Sequence, residues 1–223
     1  MVGISIAVTR EWQAALEYFN KEPQECEKYP FGEYFKVVKN GTEIVFYHCG
    51  SRKVNSAAAS QYMICRYNLS KIIVMGTCAG IDRKNKNLDI IIPNRAVQYD
   101  CTVKEIEPLI KESFTVDIDL SELDFDYNTG TIGTADKAVV MWSDYINLKN
   151  NGITIADTES AGVAWVCKKN DIKCLIVKGI SDFPKNEDYQ KDKNGNEEQI
   201  NEFMENVPKV MKIIFETYFE KLI

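Results

Sequence analysis

Residues 153–182 read Ile-Thr-Ile-Ala-Asp-Thr-Glu-Ser-Ala-Gly-Val-Ala-Trp-Val-Cys-Lys-Lys-Asn-Asp-Ile-Lys-Cys-Leu-Ile-Val-Lys-Gly-Ile-Ser-Asp. The short β-branched run Ile153–Ala156 predicts a strand, and Glu159–Asn170 carries an apolar stripe at helical spacing. Leu175–Ile180 is an uninterrupted apolar run, as expected of a strand buried on both faces. A strand, a helix and a buried strand in sequence point to a parallel α/β unit.

The same alternation extends in both directions. Upstream, Ile4–Val8 predicts a strand that hands over to a helix opening near Thr9. Glu43–Cys49 follows as a strand after a turn at Gly41, and Val54–Tyr67 has helical spacing. Lys71–Met75 is a buried strand closed by the turn Gly76-Thr-Cys-Ala-Gly80, and Asp89–Tyr99 reads as a further long strand. Thr129–Ala135 is another short strand. Downstream, Glu197–Leu222 carries a helical stripe that Pro208 should break. The polar stretch 184–198 reads as a loop. The expectation is one domain over residues 1–223, a three-layer α/β/α sandwich with a mixed, largely parallel central sheet.

Composition removes several functions. The chain has 223 residues, 45% hydrophobic, with 27 basic and 33 acidic side chains and a net charge of −6. An acidic chain without a Lys/Arg stripe lacks what binding to a phosphate backbone needs, so no nucleic-acid partner is expected. No apolar stretch approaches the roughly 18 residues of a membrane span. The first residues lack the basic lead and apolar length of a signal peptide. Seven cysteines include no C-x-x-C pair and mostly lie in apolar runs, which suits buried thiols in the cytoplasm. His48 is the only histidine, and its setting in Phe-Tyr-His-Cys suggests a structural imidazole. Multi-histidine metal sites and histidine relays are excluded, so catalysis would fall to carboxylates. No metal or cofactor is expected.

Three carboxylates stand at strand exits: Glu11 after the first strand, Glu159 after Ile153–Ala156 and Asp182 after Leu175–Ile180. Each has an ordinary explanation alone. Glu11 and Glu159 suit a helix first turn, and Asp182 could cap before Pro184. Together they point to the strand ends, where α/β sheets bind ligands. Gly76–Gly80 suits close approach of a ligand to backbone, although the chain lacks the spacing of a P-loop or a dinucleotide fingerprint.

Thr158-Glu159-Ser-Ala-Gly-Val-Ala164 with Cys174-Leu-Ile-Val-Lys-Gly-Ile-Ser-Asp182 resembles the "MESAA…A…V.R.ISD" signature of the purine nucleoside phosphorylase and nucleosidase superfamily. It is most similar to the 5′-methylthioadenosine/S-adenosylhomocysteine nucleosidase branch. Ile6–Glu11, Gly50–Ala59 (against "SGIGKVNAA"), Gly76–Gly80 and Gly133–Asp136 resemble further segments of that branch. The resemblance implies hydrolysis of the N-glycosidic bond of a purine nucleoside. Asp182, supported by Ser181, would be the acid at N7 of the base, and Glu11 the base for water. Glu159 would hold the ribose hydroxyls. Thr158, Cys78, Ala79, Gly80, Val139 and Lys178 would line or support the substrate site. Thr158 stands where Met is usual, Cys78 where a smaller residue is, Lys178 where Arg is, and Leu88 where Gly is. The "GDP.R" phosphate signature of the hexameric phosphorylases is absent, and Thr9-Arg10-Glu11 stands in its place. A carboxylate there repels phosphate and favours water, while Arg10 and Arg52 leave phosphorolysis as the alternative. A catalytically quiet nucleoside-binding domain is a third reading. The family relation also implies a homodimer, which the apolar girth of Val54–Tyr67 supports.

Overall fold

The computed structural model describes residues 1–101, 115–185 and 194–223. Eleven strands lie in one mixed sheet among those residues. At its centre, β5 (Lys71–Gly80) is flanked by parallel β1 (Val2–Ile6) and parallel β11 (Lys173–Asp182). Beyond β1 the sheet continues through parallel β4 (Thr42–His48), then antiparallel β3 (Gly32–Lys39) and β2 (Glu27–Tyr29). The upper end of β5 also pairs antiparallel with β10 (Ile155–Asp157), which leads to β9 (Thr131–Thr134), β7 (Arg95–Gln98) and β8 (Thr115–Asp117). The two-residue β6 (Ile90–Ile91) pairs with β11.

Helices cover both faces, as the α/β/α expectation requires. On one side α2 (Lys53–Tyr67) packs against α4 (Ser160–Lys169), which lies on β11. On the other, α1 (Thr9–Tyr18) packs against the long α5 (Asn194–Ile213), which lies across β11 and β5. A short α3 (Trp142–Asn150) sits beside a smaller apolar cluster containing Ile81, Val139, Tyr145 and Leu148. Central strands β1, β5 and β11 are buried on both faces, which explains their unbroken apolar runs.

Four expectations change. Gly76–Gly80 is not a turn but the last half of β5, because β11 on one side and β10 on the other take up its backbone groups. The run Asp89–Tyr99 is two strands, split where Pro93 offers no N–H to a ladder. Pro208 does not break its helix. It and Met204, whose carbonyl loses a partner, both lie on the exposed face, where water can replace the missing bond. The helix changes form instead at a wide turn over Ile214–Tyr218 before α6 (Phe219–Leu222). Of the polar stretch 184–198, residues 194–198 belong to α5, and 186–193 lie outside the described residues. Strands β2 and β3 and helix α3 carry no strong apolar run and are visible only in the structure.

Candidate active site

The strand exits that carry the three carboxylates meet at one end of the sheet. There a cavity of about 290 Å³ opens between the ends of β5, β10 and β11 and the residues 137–140 before α3. Asp182, Ser181, Glu159, Thr158, Cys78, Ala79 and Val139 line it. Gly80 does not. A Cβ there would stand 2.2 Å from the Phe183 ring, so this glycine makes room for packing behind the cavity.

Asp182 owes its direction to an irregularity. In the ladder with β5, Ile180 is level with Cys78 and Asp182 with Ala79, so Ser181 is an extra residue. Such a bulge re-aims the side chains beside it. The Asp182 carboxylate accepts from Ser181 Oγ at 2.6 Å and from Gln199 Nε2 at 2.8 Å. Gln199 also donates to Val139 O at 3.1 Å, while Asn206 Nδ2 donates to Ser181 O at 2.8 Å. Helix α5 therefore holds the end of β11 in place. Burial pushes the Asp182 pKa above the ordinary carboxylate range, against the opposing pull of the Ser181 and Gln199 hydrogen bonds.

Glu11 is 1% exposed and lies against the backbone of β5. Its Oε1 accepts from Thr77 N at 2.6 Å and Thr77 Oγ1 at 2.7 Å, and its Oε2 accepts from Val8 N at 3.1 Å. It reaches the cavity through Thr77, a lining residue. Glu159 occupies the N-cap of α4, where its Oε1 accepts from Arg52 N at 2.8 Å and from Thr158 Oγ1. Burial, and then the neighbouring Asp157 carboxylate, raise the Glu159 pKa, with Lys178 opposing them. Lys178 does not line the cavity. Its Nζ sits 3.2 Å from Asp157 Oδ2, and the two side chains are only 1% and 2% exposed. Burial pulls the pKa of this amine down, but Asp157, Glu11 and Glu159 outweigh it and hold the pKa above its usual value.

His48 plays no part in the cavity: its Nε2 is 3.1 Å from Ala7 O and its ring stacks on Trp12. Arg10 is exposed in the first turn of α1, whereas Arg52 and Lys137 do line the cavity. The sequence did not single out Thr77, Asp157, Gln199 or Phe203, all lining residues. Asp157 had a signal, being an acidic residue at a strand end two positions before Glu159. Gln199 and Phe203 had none, because the register of α5 against the sheet decides which of its residues face the cavity.

The model of the phosphorylase superfamily matches residues 2–220. The chain belongs to that superfamily. A 5′-methylthioadenosine/S-adenosylhomocysteine nucleosidase of Thermotoga maritima is 26% identical over 154 residues, covering 67% of this chain and 70% of the relative. An aminodeoxyfutalosine nucleosidase of Helicobacter pylori is 25% identical over 208 residues, covering 81% and 85%. Among solved structures, a Helicobacter pylori 5′-methylthioadenosine/S-adenosylhomocysteine nucleosidase superposes with a TM-score of 0.79 at 21% identity, covering 94% of this chain and 92% of the other. The futalosine hydrolase of the same organism also gives 0.79 at 21% identity, covering 95% and 92%. These superpositions show that this superfamily member has the nucleosidase fold.

Proposed function

We propose that the protein hydrolyses the N-glycosidic bond of a purine nucleoside, releasing the base and a ribose derivative, with 5′-methylthioadenosine or S-adenosylhomocysteine as the favoured substrates. The observation that carries this reading is that Asp182 and Glu159 line one cavity together with Thr77, whose N and Oγ1 hold the Glu11 carboxylate behind the wall. The reaction passes through an oxocarbenium-like sugar, so it needs a proton for the leaving base and a water for the sugar. Asp182 suits the first task because burial keeps its proton to higher pH than an ordinary carboxylate. Its proton goes to N7 as the C1′–N9 bond breaks and the bonding electrons pass into the base. Glu11 suits the second: it takes a proton from the water whose oxygen bonds to C1′. Glu159 takes the ribose hydroxyls, and Val139 and Phe203 offer apolar contact to the ligand.

Arg52 on the cavity wall supports phosphorolysis as the second reading, since it could meet an anion, whereas Lys137 on the same wall is paired with Asp144 at 2.7 Å. Against it, the cation nearest the carboxylates, Lys178, is already paired with Asp157. Incubation with methylthioadenosine, S-adenosylhomocysteine, aminodeoxyfutalosine and inosine, with and without phosphate, tests both. Free ribose products without phosphate support hydrolysis, ribose 1-phosphate overturns it, and no turnover leaves a binding domain. We further propose a cytosolic homodimer. Seven free cysteines and exposed apolar side chains such as Val54 support it.

A further inference from the structure

Helix α4 begins in an unusual way. A residue at the N-cap ordinarily turns its side chain back onto the helix's first N–H groups. Glu159 stands at that position and makes no such bond. Asp157, two residues earlier, does the work: Ser160 N donates to its Oδ1 and Oδ2 at 3.3 and 3.1 Å, and Ser160 Oγ to Oδ2 at 2.5 Å. Thr134 Oγ1 donates to Asp157 Oδ1 at 2.6 Å and in turn accepts from Ala161 N at 3.1 Å. With the helix start cared for, the Glu159 carboxylate is free to turn toward Arg52 N and the cavity.

Lys178 completes the arrangement. It lies on β11 level with Gly76 of β5, and its ammonium pairs with Asp157. The charged groups facing it are Asp157 on β10, Glu11 on α1 and Glu159 at the head of α4, with the Cys78 thiol on β5 beside it. One buried cation thus stands among three buried carboxylates. A buried pair of this kind is weak as a source of stability, because desolvation cancels much of its attraction. Its placement between Glu159's helix and the acid's strand suggests another use.

We propose that Lys178 and Asp157 are positioning residues for the sugar-binding carboxylate: the pair pins the first turn of α4, so that Glu159 meets the ribose hydroxyls held in one place. This inference rests on the nucleosidase reading. It assigns neither residue a contact with substrate hydroxyls.

The test compares 5′-methylthioadenosine with its 3′-deoxy analogue, which lacks a hydroxyl for Glu159. In the parent protein the ratio of the two kcat/KM values measures what Glu159 contributes. Lys178→Met should lower kcat/KM for methylthioadenosine by roughly 10- to 100-fold, the worth of a hydrogen bond to a charged group, and bring the ratio close to one. Lys178→Arg should restore most of the ratio. The pH dependence of the ratio gives an independent reading. Facing Glu159 are Asp157, Lys178, the Thr158 hydroxyl and the Arg52 N–H. Removing the cation should move the acid limb to higher pH, and Asp157→Asn should move it to lower pH. Should Lys178→Met fail to fold, the double variant D157N/K178M, which leaves no buried charge unpaired, replaces it and should show the same loss of ratio. A parent that cleaves neither nucleoside overturns the nucleosidase reading and this inference with it. A parent that cleaves, with variants whose ratio is unchanged, overturns the inference alone.

Discussion

The carboxylate of Glu11 rests directly over Gly76: a Cβ on that glycine would stand 2.7 Å from Oε1 and 2.8 Å from Oε2. Glycine is therefore required here for close approach rather than for backbone freedom. Gly76→Ala should push Glu11 off Thr77 and cost activity of the order expected for losing a general base, about 10²–10⁴-fold. Stability should fall by only about 1–3 kcal/mol, as in other overpacked cores. Steady-state turnover beside a denaturant melt checks both. Unchanged turnover would separate Glu11 from the chemistry.

Asp182→Asn should separate activity from stability in the opposite sense. The acid is removed, so base release should drop by at least about 10²-fold. The sign for stability follows from the raised pKa. Between its unfolded and folded values the native state binds the extra proton, so stability present at low pH is lost as pH rises through the folded pKa. Asparagine never ionises and escapes that loss. At neutral pH its melting temperature should equal or exceed the parent's, and the gap should close in acid. A variant that melts well below the parent at neutral pH would show the Asp182 carboxylate to be a stabilising anion.

Much of this site was legible in the residues, and the illegible part has identifiable causes. Glu159 and Asp182 stand at strand exits that periodicity alone locates. Backbone demands can also be read from departures. Leu88 stands where the family usually has glycine, and it takes φ +73°, the left-handed region. Arg52, aligned with the second glycine of "SGIGKVNAA", takes φ +83°, which aims its N–H at Glu159. Lys178 ends on Asp157 and not on the cavity wall, which its motif position could not show: that position says nothing of where a long side chain ends, and a carboxylate on β10 captures it. Gly76–Gly80 read as a turn because two glycines five residues apart look like punctuation, whereas here they admit Glu11 and the Phe183 ring beside a continuous strand. The sources of burial around Asp182 come from α5, a helix distant in sequence from β5 and β10, and no local pattern encodes that docking.

The pH profile of kcat/KM should have its alkaline limb set by Asp182. Because burial raises that pKa, activity should persist to higher pH than an ordinary aspartic acid would allow and then fall as the proton is lost. Ser181→Ala removes a hydrogen bond that favours the anion, so the alkaline limb should move to higher pH. A limb that stays in place when Ser181 is altered would assign it to another group.

Turnover should need neither phosphate nor a metal ion. The site carboxylates are taken up by N–H and O–H donors, and no group of three His, Cys, Asp or Glu among the described residues could hold an ion. Dialysis against a chelator in phosphate-free buffer should leave the rate within about twofold. A loss restored by added divalent ion, or a rate that rises with phosphate, would overturn the expectation.

The last prediction concerns assembly. Helix α2 buries Ser56, Ala59, Ser60, Met63 and Ile64 against the sheet and α4, while Val54 remains 74% exposed and Ala57, Ala58, Tyr62 and Tyr67 are half covered. Met63 is fully buried in the chain's own core, so a charge there would unfold the protomer and says nothing of assembly. The informative positions are Val54 and Tyr62. Around Tyr62 stand Phe31, which is exposed, and Arg66, which hydrogen-bonds Tyr62 and lies over the rings of Tyr34, Tyr62 and Tyr67. Tyrosine and arginine of this kind dominate the binding energy of protein interfaces. The same helix begins at Lys53, one residue after the cavity-lining Arg52, so an interface on α2 would reach the cavity mouth. Light scattering at micromolar concentration should give the mass of two chains. Val54→Asp with Tyr62→Glu should give the mass of one and lower kcat/KM at the same time, with the protomer still folded. A parent mass of one chain refutes the dimer, and a dissociated variant with full activity refutes the link between the interface and the site.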